Sequence, residues 1–127
     1  MTELVAVAKA FADPTRVRVL SALRNGELCV CELCDALKIT QSTLSTHLQV
    51  IRESGLVQTR KQGKWVYYTI EPKADQLIDS VFGFFTRDLK SDETLCRDAR
   101  LLTARLKERK GGECCVGFCR TKQRVTA

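Results

Sequence analysis

Residues 27–68 read ELCVCELCDALKITQSTLSTHLQVIRESGLVQTRKQGKWVYY, and a change of period inside this stretch decides the fold. As far as Ile51 the apolar residues recur at helical spacing. Val30, Leu33 and Leu37 mark a short helix, and Leu44, Leu48 and Ile51 form the buried stripe of a second helix over about residues 41–54. Thr40 is placed to cap that second helix, and Ser54-Gly55 to stop it. From Leu56 the period becomes two: residues 56–61 (LVQTRK) and 65–70 (WVYYTI) are β-branched and aromatic runs joined across Gln62-Gly63, which reads as a hairpin. Two short helices joined by a tight turn, with a basic hairpin directly after them, make a winged helix-turn-helix.

The flanks extend this reading. Upstream, Leu4, Val7 and Phe11 fall at helical spacing, and Asp13-Pro14 supplies an N-cap and a first-turn proline for a helix whose core face is Val17, Leu20 and Leu23. Asn25-Gly26 ends that helix, and Glu27 favours the start of the next. Downstream of Pro72 a helical pattern returns with Leu77, Val81, Phe84 and Phe85. Leu95, Ala99, Leu102 and Leu106 then repeat at steps of 4, 3 and 4, a stripe suited to pairing with a partner helix. Periodicity is lost from Lys110. The expected organisation is a mostly α domain with a β-hairpin wing over residues 1–109, homodimeric, followed by a flexible cysteine-containing tail over 110–127.

Composition agrees with this and narrows the function. A chain of 127 residues, 44% hydrophobic and 28% charged, is sized for about one globular domain, which disfavours a two-domain enzyme. No apolar run approaches the roughly 18 residues of a membrane span, so no membrane partner is expected. Seven cysteines is an odd number and too few for a disulfide scaffold, which reads as reduced thiols in a cytoplasm. The net charge of +6 is unevenly placed: residues 38–64 hold five Lys or Arg against one acid, and residues 97–127 hold nine against three. The first cluster points to a polyanion; the second reads as a solvated helix face and tail.

On the helix over 41–54, the positions turned away from Leu44, Leu48 and Ile51 are Ser42, Thr46 and Gln49, flanked by Ser45 and His47, with Gln41 and Thr43 in the first turn. These side chains are short, polar and uncharged apart from the histidine, and such groups approach base edges and phosphates at little desolvation cost. Arg60, Lys61 and Lys64 on the hairpin are placed for backbone phosphates of double-stranded DNA. His47 reads equally as a packing residue.

Cys29, Cys31 and Cys34 put three thiols into six residues, beside the apolar stripe of the short helix. A redox CxxC motif needs a βαβ context that is lacking, and structural zinc takes four ligands. Three soft thiolates suit a three-coordinate thiophilic ion such as As(III) or Sb(III). On a regular helix Cys31 and Cys34 lie about 60° apart, with Cys29 about 160° and 140° from them, so binding at one atom requires the first turn to distort. That helix props the recognition helix, so a ligand favouring the distorted form weakens DNA binding. Cys114, Cys115 and Cys119 in the tail form a possible second metal site, since their short spacing keeps the closure cost small.

The quoted run closely resembles the arsenic-responsive branch of the ArsR/SmtB metalloregulatory repressors. The resemblance covers about residues 3–100, and its CVCxxC motif is highly specific. It implies a cytoplasmic homodimeric repressor of an arsenic-resistance operon, released from operator DNA by As(III) or Sb(III) at Cys29, Cys31 and Cys34, with no organic cofactor. It also implies dimer contacts from the first and the C-terminal helices. Zinc-sensing relatives use a histidine on the long C-terminal helix, where this chain has none. Cadmium and lead sensors add an N-terminal cysteine, and residues 1–28 contain none. A thiol-redox or Cd/Pb-sensing repressor of the same fold is the alternative. An enzyme is not expected, because no nucleophile has a base, phosphate loop or oxyanion donors around it.

Overall fold

A computed structural model describes residues 1–112 of the chain. The tail cysteines Cys114, Cys115 and Cys119 lie outside the described residues. Two helices come first, α1 (Thr2–Phe11) and α2 (Pro14–Leu23). Asp13 caps α2 as its sequence position implies, accepting from the backbone N–H of Thr15 at 2.8 Å and of Arg16 at 3.4 Å, with Pro14 at N1. A two-residue strand β1 (Leu28–Cys29) precedes α3 (Val30–Leu37), and α4 (Gln41–Glu53) follows after a left-handed Lys38. Thr40 caps α4 through the N–H of Thr43. The wing is β2 (Val57–Gln62) and β3 (Trp65–Ile70), with Gly63 at φ 59° in its turn. A single 3₁₀ turn over Pro72–Ala74 leads into α5 (Asp75–Phe84), α6 (Thr86–Lys90) and α7 (Glu93–Leu106).

The helix-turn-helix and wing fall where the period change puts them. Three features differ from the sequence reading. First, Glu27 does not open α3. Leu28 and Cys29 instead pair with Tyr68 and Tyr67 of β3, giving an antiparallel sheet of order β1-β3-β2. Two residues are too short to show a period, so this strand left no signal.

Second, the Leu77, Phe84 and Phe85 stripe of the α5 region faces outward, Phe84 at 83% exposure, while Ile78 and Phe82 on the other face enter the core. Third, only half of the 95–99–102–106 stripe of α7 is taken up within the chain, Leu95 being half-buried and Ala99 exposed. Leu102 is in the core, Leu106 packs against it, and α7 lies on α2 and α3. Exposed apolar side chains are carried instead by Leu4 and Val5 on α1 and by Leu77, Phe84 and Phe85.

The α3–α7 contact carries buried charge. Arg105 of α7 donates from Nε to Asp35 at 2.9 Å, both side chains 4% exposed. Arg18 of α2 bonds both carboxyl oxygens of Asp98, at 2.7 and 2.9 Å, and the carbonyl of Leu37 at 2.6 Å. Arg109, just beyond α7, grips Glu32 through Nε at 2.5 Å and Nη2 at 2.6 Å. Removing one member of a buried pair strands the other's charge, a loss of about 3–5 kcal/mol, whereas replacing both with apolar groups is near neutral. Arg105→Ala should therefore lower unfolding stability by several kcal/mol in denaturant titrations, and Arg105→Met with Asp35→Leu should recover most of it. A double variant as unstable as the single one would contradict this.

Candidate nucleic-acid interface and thiol site

Thr40 and the left-handed Lys38 set the entry of α4, and Leu44, Leu48 and Ile51 seat its inner face in the core. The opposite face is polar, as read from the sequence: Ser42, Thr43, Ser45, Thr46 and Gln49 are exposed, and Gln41 and His47 are half-buried. Thr46 hydrogen-bonds the carbonyl of Ser42, and the Gln49 amide donates to Glu53 at 3.0 Å. His47 faces away from this set and is held by the α2 N-terminus. The Arg16 guanidinium lies 3.0 Å from Nδ1 of His47. Asp13 stands 3.8 Å from the same nitrogen. Desolvation pushes the Asp13 carboxyl up, but the N–H groups of Thr15 and Arg16 and the nearby His47 and Arg16 outweigh it, leaving the carboxyl below the ordinary range. His47 is thus a brace between α4 and α2, the packing alternative of the sequence reading.

The wing residues divide. Lys61 and Lys64 are exposed, and the Lys64 ammonium lies 4.9 Å from the centre of the Trp65 ring. Arg60, on the other side of β2, turns back onto the protein. Its Nη2 lies 2.6 Å from Glu27 Oε1, its Nε 3.0 Å from Oε2, and it stacks 4.5 Å from the centre of the Tyr67 ring; Gln62 also accepts from it. The hydrogen bond from Arg60, reinforced by the charges of Arg60 and Arg109, holds the Glu27 carboxyl below its usual value against a desolvation that pushes it up.

The thiols sort differently from a helical wheel. Cys29 belongs to β1 in extended geometry, at φ −87° and ψ 162°, and serves as the N-cap of α3. Its N–H donates to Glu32 Oε1 at 2.9 Å in a capping box. Because Cys29 is off the helix, the 160° offset from Cys31 does not apply. Cys29 and Cys31, 0% and 1% exposed, share a small cluster with Tyr67 and Trp65, whereas Cys34, at 0%, lies in the main core. All three are thiols, as is the exposed Cys96. Among the described residues no three His, Cys, Asp or Glu side chains are gathered as a metal would need.

Cys29 and Cys31 also line a cavity of about 330 Å³ between α4 and the wing, whose other walls include Gln41, Ser45, Gln49, Arg52, Lys64 and Trp65. Arg52 was missed in the sequence reading. Its signal was the row Gln41, Ser45, Gln49 and Arg52, steps of 4, 4 and 3 that lie on one helix face. Also missed were the buried Arg105 and the half-buried Arg109, which sequence alone placed in a solvated basic run.

Comparison with known proteins bears on this geometry. Residues 13–59 match the model of the bacterial regulatory protein arsR family, a helix-turn-helix. The chain is 49% identical over 79 residues to the arsenical resistance operon repressor of Escherichia coli, covering 58% of this chain and 68% of that one. It is 46% identical over 76 residues to the arsenic resistance transcriptional regulator ArsR1 of Pseudomonas putida, covering 59% of each chain. Among solved structures it resembles the homodimeric winged helix-turn-helix DNA-binding domain of Mb0332 from Mycobacterium bovis, a possible ArsR-family transcriptional regulator. That likeness has a TM-score of 0.64 and 28% identity, over 72% of this chain and 86% of that one.

The Glu27 tether keeps Arg60 off any ligand of the wing, and because the carboxyl's pKa is lowered the tether persists above that value and is lost only as pH falls through it. Glu27→Gln should release Arg60 at neutral pH and steepen the salt dependence of duplex binding by about one in log–log slope, the increment of one added phosphate contact. An unchanged slope in fluorescence-anisotropy titrations would show that Arg60 stays where Glu27 holds it.

Proposed function

The chain belongs to the arsR family of bacterial regulatory proteins, and on that footing we propose that it represses an arsenic-resistance operon and leaves its operator when As(III) or Sb(III) is bound by Cys29, Cys31 and Cys34. The relatives and the fold are those of transcription regulators, not enzymes. Among the described residues no helix is long and apolar enough to cross a membrane. The observation that carries the proposal is that all three thiols sit on or at the cap of α3, the first helix of the helix-turn-helix, but in two separate clusters.

The chemistry follows from that separation. As(OH)₃ exchanges its three hydroxyls for three thiol sulfurs, releasing three waters, and the three sulfurs then surround one atom. Cys29 and Cys31 already share a cluster, and Cys34 must be drawn out of the core. This unwinds the start of α3, and with it the seat of α4. A ligand that favours the unwound form lowers DNA affinity by the free energy with which DNA lowers ligand affinity. DNA contacts are assigned to Gln41, Ser42, Thr43, Ser45, Thr46 and Gln49, with Lys61 and Lys64 on phosphates; His47 and Arg60 contribute only if their internal partners let go. The protein acts as a homodimer through the exposed apolar faces of α1 and the α5 region, an assignment that rests on Leu4, Val5, Leu77, Phe84 and Phe85 and on the dimeric structural neighbour.

Cys31→Ser and Cys34→Ser should each keep operator affinity within about threefold of wild type under strong reductant while abolishing release by arsenite, read by anisotropy of labelled operator. Release of either variant at the wild-type arsenite concentration would refute the three-thiol site. Release of wild type by oxidant but not by arsenite would favour the redox alternative.

A further inference from the structure

The cavity between α4 and the wing is bordered by Cys29 and Cys31 and by two cations, Arg52 and Lys64. Cys29 and Cys31 have almost no exposed surface, yet both line it. Arg52 and Lys64 are exposed and line it too, and the Trp65 ring under the Lys64 ammonium keeps that charge at the cavity. Gln41, Ser45 and Gln49, polar residues of the recognition face, complete the α4 wall. Two of the three cysteines therefore border an opening that lies on the surface that would meet DNA.

We propose that this cavity is an entrance shared by two ligands. A backbone phosphate of bound DNA closes it between Arg52 and Lys64, and a thiophilic ligand reaches Cys29 and Cys31 through the same opening when DNA is absent. Arg52 becomes a phosphate-positioning residue alongside Lys64. The idea rests on the DNA-binding reading above but is separate from distortion of α3: distortion alone allows a transient complex of protein, DNA and ligand, whereas a shared entrance forbids it. An occupied operator then shields its own repressor, and the ligand captures protein that has already dissociated. About 330 Å³ is ample for arsenite, since a water molecule's share of liquid volume is about 30 Å³.

The test has two arms on the full chain in reductant-free buffer after reduction. In the first, iodoacetamide, a small neutral probe whose iodide is displaced by thiolate, is added to free protein and to protein saturated with operator, and each cysteine is followed by peptide mass spectrometry. The expected result is alkylation of Cys29 and Cys31 in free protein, slowed at least tenfold by operator, with Cys34 much slower and unaffected by DNA. Equal rates with and without DNA overturn the proposal. So does a lack of reaction at Cys29 and Cys31 in free protein, and so does equal protection of Cys34, which would mean general stabilisation.

In the second arm, release of labelled operator at saturating arsenite is compared with dissociation chased by unlabelled operator. A shared entrance makes the chase rate a ceiling, and faster release in arsenite overturns it. Arg52→Ala, at an exposed position, should lower the salt slope by about one and leave free-protein alkylation unchanged; an unchanged slope removes Arg52 from the site. Failure of the wild type to bind operator would overturn the proposed function and the shared entrance together, whereas failure to leave it in arsenite would count against the proposed function alone, with the alkylation arm still judging the entrance.

Discussion

Glu32 has no exposed surface, and a carboxyl in that position has to be hydrogen-bonded on all sides or the core around it fails. One oxygen accepts the N–H of Cys29, and both accept from Arg109, whose guanidinium also donates to the carbonyl of Glu27 at 2.8 Å. The hydrogen bond to Glu32 raises the Arg109 pKa further above its usual high value, against a desolvation that opposes it. This one group therefore fixes where α3 begins, where Cys29 points and where the chain goes after α7. The Asp35–Arg105 and Leu37–Arg18–Asp98 contacts continue the same line along α3, so the helix is held by directional, charged bonds rather than by apolar area alone.

Directional bonds hold α3 in place along its length. A bidentate guanidinium–carboxylate pair adds geometric specificity as well as energy. A helix clamped in this way at Glu32, Asp35 and Leu37 stays in place until something displaces it. The recognition helix α4 is seated through the turn that follows Leu37 and by the His47–Arg16 brace on α2. Its position is set by two neighbours, of which only α3 carries the cysteine triad.

Much of this was legible in the sequence where a period or a cap speaks for itself. Asp13-Pro14, Thr40 and the 62–63 turn were readable because each satisfies a local need of its own backbone. The failures share a cause. Strand β1 is two residues long; the α7 stripe is apolar at coiled-coil spacing whether its partner belongs to the same chain or another; and Arg105 and Arg109 sit in a basic run like any surface run until a buried carboxylate is found opposite. The thiols were legible as a set, but their pairing was not, because Cys29 lies one residue before the helix on which the wheel would place it. Arg60 fell on the wing as expected, and only the fold could show Glu27 across from it.

The separation of Cys34 from Cys29 and Cys31 also bounds how strongly the proposed ligand can act on DNA. Taking Cys34 from the core exposes a side chain of roughly Ala-to-Val size, about 1–2 kcal/mol of burial. Opening the first turn of α3 with the Glu32–Arg109 pair kept gives up the bond from the Cys29 N–H to Glu32, about 1 kcal/mol. The gap between the two forms is then about 2–3 kcal/mol, which lies within the usual range of coupling between sites and corresponds to a fall in operator affinity of up to about a hundredfold. A smaller gap would let the apo protein drift off DNA unprompted, and a much larger one would consume the affinity of a three-sulfur site for its ion. On the proposed three-thiol site, keeping two thiols together and one in the core would place the cost where a single new As–S or Sb–S bond can meet it, and the third sulfur would be the one whose capture moves the helix.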